Sequence, residues 1–147
     1  MPILSVFFAV LLSLGLFFMQ NQHRLQANAL TGEAAAITGN MRVYRNAVGN
    51  YARTHTFVTG AVADTALELP VWFRHRPDVQ NYVVDGQGYV YFSPAQPELV
   101  TMLLKASEYA VLAGINQGGW LYNPISGITS VRLPIQVPEG SVVYADG

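Results

Sequence analysis

Residues 27–51 read ANALTGEAAAITGNMRVYRNAVGNY, and within them Ala27, Leu30, Ala34, Ile37, Met41, Tyr44, Val48 and Tyr51 recur at alternating steps of three and four. At 3.6 residues per turn this spacing lays all eight along one side of a helix. The alternation also suits a coiled-coil seam. Ala and Tyr among its members, and the lack of flanking charged pairs, favour packing against a sheet of the same chain instead. Gly32, Gly39 and Gly49 interrupt the stretch at a cost of about 1 kcal/mol each relative to Ala, which predicts bends or frayed turns. Arg42, Arg45 and Arg53 fall off the stripe. They form a candidate partner face, the plainer alternative being a solubilising surface.

Upstream, Pro2 to Met19 contains no charge and only Ser5 and Ser13 as polar side chains. As a helix rising about 1.5 Å per residue, this run reaches roughly 27 Å, close to the apolar thickness of a bilayer. Gln20-Asn21-Gln22-His23-Arg24 ends it abruptly. Two fates are open: a retained anchor over residues 1–19, or a signal removed after the small-x-small sequence Ala27-Asn28-Ala29. The apolar core is longer than a signal peptide's, and cleavage would cut the helical stripe at its start, so we adopt retention. Arg24 gives little guidance on orientation, and the reading places the following domain outside the inner membrane. Ser5, Ala9 and Ser13 stack at four-residue spacing into a candidate packing face of the anchor, unless the span simply faces lipid.

Downstream, residues 20–147 have the size of one domain, opening with a long helix to about residue 54. Thr56 to Ala66 reads as a loop. Pro70 and Pro77 bracket a short apolar element in which Trp72 is expected to plug the core. Asn81–Val84 and Tyr89–Phe92 flank Asp85-Gly86-Gln87-Gly88 as a hairpin, and a helix is expected over Glu98–Tyr109, with Leu99, Leu103, Ala106 and Ala110 on one face. A second hairpin joins 111–115 to 120–122, followed by strands at 128–133 and 141–144, with 135–137 at most an edge strand. The fold class is therefore α+β: an N-terminal transmembrane segment continuing into a long helix packed on an antiparallel sheet. Such an arrangement looks like that of pilins and pseudopilins. Prepilins, however, carry a Gly just before an apolar mature start and a Glu five residues in. Here Gly15 lies inside the run, and the first acid is Glu33.

Chemistry is sparse. The chain lacks cysteine, which removes disulfides, thiolate metal sites and thiol nucleophiles. His23, His55 and His75 are far apart, and no phosphate loop, nucleophile elbow or paired carboxylates stand out. Arg74-His75-Arg76-Pro77-Asp78 concentrates charge in what reads as a solvated turn. We therefore expect no catalytic residues, cofactor or metal. The formal charge of −1 argues against nucleic acid. That charge is divided, with six Arg and three acids up to residue 76, then Lys105 and Arg132 against six acids. Opposed faces of this kind could orient a partner or a second copy.

With Gln22-His23-Arg24 at the exit of the apolar run, the segment Val43-Tyr44-Arg45-Asn46-Ala47-Val48-Gly49-Asn50-Tyr51 and an aromatic-rich α+β domain, the chain resembles the short PilM proteins of type IVb and conjugative thin pili. These are distinct from the large actin-like proteins that share the name. The resemblance covers nearly the full length, through diffuse motifs that include no catalytic residue. It implies a non-enzymatic inner-membrane component of the pilus assembly machine, in pilin transport or the basal body. Its partners would be the membrane and other assembly proteins or pilins, with a homo-oligomer as a further option. A minor-pilin-like subunit of the fibre, or a secreted hydrolase or ligand-binding domain with a cleaved signal, are the alternatives.

Overall fold

The computed structural model describes residues 2–93, 95–108 and 112–146. Helix α1 runs unbroken over Pro2–Thr54. No proline interrupts it after Pro2, and the internal glycines expected to bend it do not break it. The chain divides into two units, Met1–Glu33 and Ala34–Gly147.

In the first unit every large apolar side chain described is exposed, from Ile3 through Leu30. The hydroxyls of Ser13 and Thr31 donate to the carbonyls of Ala9 (2.8 Å) and Ala27 (2.9 Å) on the preceding turn, which hides their polarity within the helix. One helix among the described residues is long and apolar enough to cross a membrane.

The second unit is a six-stranded antiparallel sheet with helices on one face. Its strands are β1 (Val79–Val84), β2 (Gln87–Phe92), β3 (Ala113–Gln117), β4 (Trp120–Asn123), β5 (Gly127–Arg132) and β6 (Val142–Ala145), with α2 (Pro97–Ala106) between β2 and β3. The order across the sheet is β1-β2-β6-β3-β4-β5. The last strand thus lies between two hairpins and joins them. Its residues are apolar and buried throughout, as a strand covered on both faces must be.

Both hairpins close more tightly than the four-residue loops expected. Val84 pairs with Gln87 around Asp85-Gly86, and Gln117 pairs with Trp120 around Gly118-Gly119. All four turn residues have left-handed φ, the requirement of a two-residue type I′ turn.

The helix stripe is buried from Ala34 through Ile37, Met41, Tyr44 and Val48, packed with Val79, Val83, Val90, Val142 and Tyr144 of the sheet and with Leu99 and Leu103 of α2. The stripe does not hold along its whole expected length: Ala27 is exposed, Leu30 is 54% exposed and Tyr51 is half-buried. At Gly49 and Gly88 the helix meets β2 very closely. A Cβ on Gly88 would stand 3.2 Å from the Gly49 Cα, so glycine here permits a close approach where the sequence alone suggests a weak point. On the other face a second cluster forms from Tyr89, Tyr91, Leu121, Leu133, Val137 and Val143. Buried Asn116 ties the covering segment down, its side-chain amide donating to the carbonyls of Val137 (2.9 Å) and Pro138 (3.2 Å).

Two local expectations are corrected. Trp72 is not a core plug but is 72% exposed, because Phe73 takes the inward position and stacks on Tyr44 with ring centroids 6.3 Å apart. Helix α2 stops at Ala106 rather than Tyr109, since Glu108 turns left-handed (φ 54°) just beyond the cap at Ser107. Ala110, expected on the inner face of that helix, lies outside the described residues, as does residue 111 at the start of the second hairpin.

Candidate interaction surface

The three arginines singled out on α1 have different surroundings. Arg45 and Arg53 converge on Asp146, a buried carboxylate just past β6. Arg45 Nη2 lies 3.4 Å from Asp146 Oδ1, its Nε donates to the Ala145 carbonyl at 3.1 Å, and its guanidinium sits 4.5 Å over the Tyr144 ring. Arg53 donates through Nη1 to Asp146 Oδ2 and through Nη2 to Asn50 Oδ1 (2.6 Å). Gly49 makes room for this clasp, as a Cβ there would overlap the Asp146 carboxylate. A buried carboxylate between two guanidiniums is satisfied only while both stay in place. Two of the three arginines therefore fasten the end of the central strand to α1.

A second set of polar contacts fixes the long segment between α1 and β1. Asp64 accepts from the Tyr44 hydroxyl (2.8 Å) through Oδ1, and its Oδ2 lies 2.6 Å from His75 Nδ1. His75 Nε2 lies 2.7 Å from the Val79 carbonyl oxygen, and the imidazole stacks on Tyr44 with centroids 4.1 Å apart. Asn81 donates to the Tyr44 hydroxyl (2.6 Å) and to the Val62 carbonyl (2.9 Å) and accepts from the Val62 N–H (2.8 Å). Burial, reinforced by the Asp64 carboxylate, pushes the Tyr44 phenol well above its ordinary range. On the same helix Asn40 donates to the Arg74 carbonyl (2.7 Å) and accepts from the Arg76 N–H (3.2 Å). Arg76 holds Asp78 through two hydrogen bonds, which keep that carboxyl below the usual carboxylate range. With both nitrogens of His75 within hydrogen-bond distance of protein oxygens, this His–Asp pair is arranged as a clamp.

Arg42 remains. It is exposed and forms no ion pair or hydrogen bond among the described residues. Hollows lie on either side of it along α1. One is lined by Ala35, Thr38, Gly39 and Arg42 from α1 and Met102, Lys105 and Ala106 from α2. The other is lined by Gly39, Arg42, Val43 and Asn46 together with Trp72. Val71, beside Trp72, is fully exposed. Lys105, which lines the first hollow, and Trp72, which lines the second, are not recognisable as neighbours of Arg42 from the sequence. Neither position carries a signal beyond residue type, because what brings them to Arg42 is tertiary folding.

Ser5, Ala9 and Ser13 lie on one exposed face of the first unit, where Val6, Ala9, Val10, Ser13, Leu14 and Phe17 border a shallow hollow. Among the described residues no group of three His, Asp or Glu side chains is placed to hold a metal ion.

These features define an α+β protein of the helix-on-antiparallel-sheet class, bearing one N-terminal helix capable of crossing a membrane. The chain belongs to the PilM family, whose model matches residues 8–145. The fold is similar to that of a crystal structure assigned to PilM from Escherichia coli B7A, at 21% identity and a TM-score of 0.62 over 80% of this chain and 94% of that one. It is also similar to one assigned to PilM from Pseudomonas aeruginosa 2192, at 29% identity and a TM-score of 0.50 over 78% and 96%. No curated protein matches the chain.

Proposed function

We propose that this PilM-family protein is a non-enzymatic, single-pass component of the bacterial inner membrane that serves assembly of a type IVb or conjugative thin pilus, in pilin transport or the basal body, with its folded domain in the periplasm. The observation that carries the reading is the joining of an uncovered apolar helix to a folded domain of a pilus-related family. Side chains that could resemble catalytic groups support it too, because His75, Asp64 and Tyr44 bond one another and the backbone. The domain offers exposed apolar and cationic side chains, the equipment of a protein that holds other proteins.

Deletion and complementation test this role. Loss of the gene is expected to abolish piliation, the full chain to restore it, and a secreted domain lacking residues 1–33 to fail. Normal piliation in the deletion strain would contradict the reading. Sheared, purified fibres distinguish the second possibility, a minor-pilin-like subunit, which the helix-on-sheet build favours: a basal component stays with the cells, whereas a fibre subunit is recovered in stoichiometric register with the pilin.

A further inference from the structure

We propose that the α1 surface between Trp72 and Lys105, centred on Gly39 and Arg42, is a docking groove for an amphipathic helix of a partner protein whose apolar stripe is flanked by carboxylates. The inference rests on the reading of the chain as an assembly component and specifies the chemistry of its partner.

The floor of the groove is low. Ala35 and Gly39 present almost no side chain, and a Cβ built on Gly39 would meet nothing within 4 Å. Glycine in a helix interior weakens the helix relative to Ala, a cost that a structure keeps only where the missing side chain is useful. Gly49 offsets that cost through its close contacts with Gly88 and Asp146, but Gly39 has no such contact among the described residues. Open space over a small residue is what lets a second helix come close.

The walls are apolar and well supported. Met102 and Ala106 line one side and Trp72 the other. The segment bearing Trp72 is held to α1 by Asn40 and by the stacked Tyr44, Phe73 and His75 rings. An exposed tryptophan on so firmly fixed a segment is presented without the entropic cost of ordering a loose loop on binding.

Charge then selects the occupant. Arg45 and Arg53 are both engaged by Asp146, and Arg76 is bound to Asp78. Arg42 and Lys105 line the same hollow and have no acid among the described residues. Two unpaired cations beside an apolar floor favour a helix carrying Asp or Glu at the edges of its apolar face. A second copy docked about a two-fold axis through this patch would oppose Arg42 to Arg42, so the same charges disfavour it.

The test places a benzophenone amino acid at position 39 of the full chain in piliated cells, with a control at exposed Ser130 on β5. Irradiation is expected to give an adduct at position 39 and none at 130, with the partner segment identified by mass spectrometry as an acidic amphipathic helix. The double variant Arg42→Glu/Lys105→Glu is expected to cut adduct yield at least tenfold at unchanged membrane level and unchanged melting temperature. Replacing the partner's flanking carboxylates with Lys is expected to restore it. An adduct to lipid or to a second copy, a yield indifferent to charge reversal, or no adduct at all would overturn the proposal. Piliation in the deletion strain is read separately, so the groove and the assembly role can each fail without the other.

Discussion

Helix α1 carries apolar side chains along nearly its whole length, yet its two parts have opposite fates. From Ala34 onward the stripe is buried, with Ala34, Ile37, Met41 and Val48 all at 0% exposure, whereas Ile3 through Leu30 are exposed. Periodicity reports that one side of a helix is apolar; it does not say where the covering sheet ends. Within the upstream part, Pro2 to Met19 is apolar on all sides but for Ser5 and Ser13, the pattern of a helix whose solvent is lipid. One continuous element therefore serves as core in one unit and as candidate membrane span in the other.

Placing the same charge in each part of α1 should have opposite consequences. Val48→Asp buries an unpaired carboxylate and is expected to cost about 4 kcal/mol or more, a large share of the roughly 5–15 kcal/mol that holds a domain together. Leu30→Asp should leave the melting temperature of the domain unchanged. Comparable losses from both would mean that the stripe is covered further upstream than the structure has it.

The clasp gives the next largest effect. Asp146→Ala leaves two guanidiniums without their shared acceptor and frees the end of β6, for an expected loss of about 3 kcal/mol by chemical denaturation. A change below about 0.5 kcal/mol would reduce the clasp to an ordinary surface ion pair.

Alkali probes Tyr44. Its folded-state pKa is raised above the ordinary value of 10.0, so the unfolded chain loses its proton first as pH rises. The associated stability is fully present below about pH 10 and is lost progressively above it. Denaturation between about pH 9 and 11.5 should show this decline, and Tyr44→Phe should flatten it while lowering stability at neutral pH. An unaltered slope would assign the decline to Tyr89 and Tyr91, which burial also raises.

Two glycines sharpen the contrast within the covered part. Gly39→Ala enters open space and should stabilise the domain by about 0.5–1 kcal/mol through helix propensity. Gly49→Ala should destabilise it, because the new methyl falls on the Asp146 carboxylate. Thermal melts of both variants should move in opposite directions, and a shared sign would refute one of the two environments.

Much of this architecture was legible in the residues. The three-four alternation marked the inward side of α1, and the stretches Asp85-Gly86-Gln87-Gly88 and Asn116-Gln117-Gly118-Gly119 marked both hairpins, though as four-residue loops. The run Val142-Val143-Tyr144-Ala145 also carried a signal, being apolar on both faces as central strands are, though its place between β2 and β3 was not read from it. The surface was much less legible. Arg42, Arg45 and Arg53 share a side of the helix by spacing alone, but the acid that separates them into paired and unpaired lies 93 residues beyond Arg53. Trp72 and Phe73 are adjacent aromatics, and only the position of Tyr44 decides which of them turns inward. Local pattern specifies which side of an element is buried, whereas the exposed chemistry is set by contacts distant in sequence.

We propose that the apolar start of α1 remains attached to the domain and holds it at the membrane. Alkaline carbonate extraction of cell membranes, with N-terminal sequencing of the recovered protein, tests it most directly. Protein with residues 2–29 present is expected in the washed membrane pellet. Soluble protein beginning at Leu30 would contradict it.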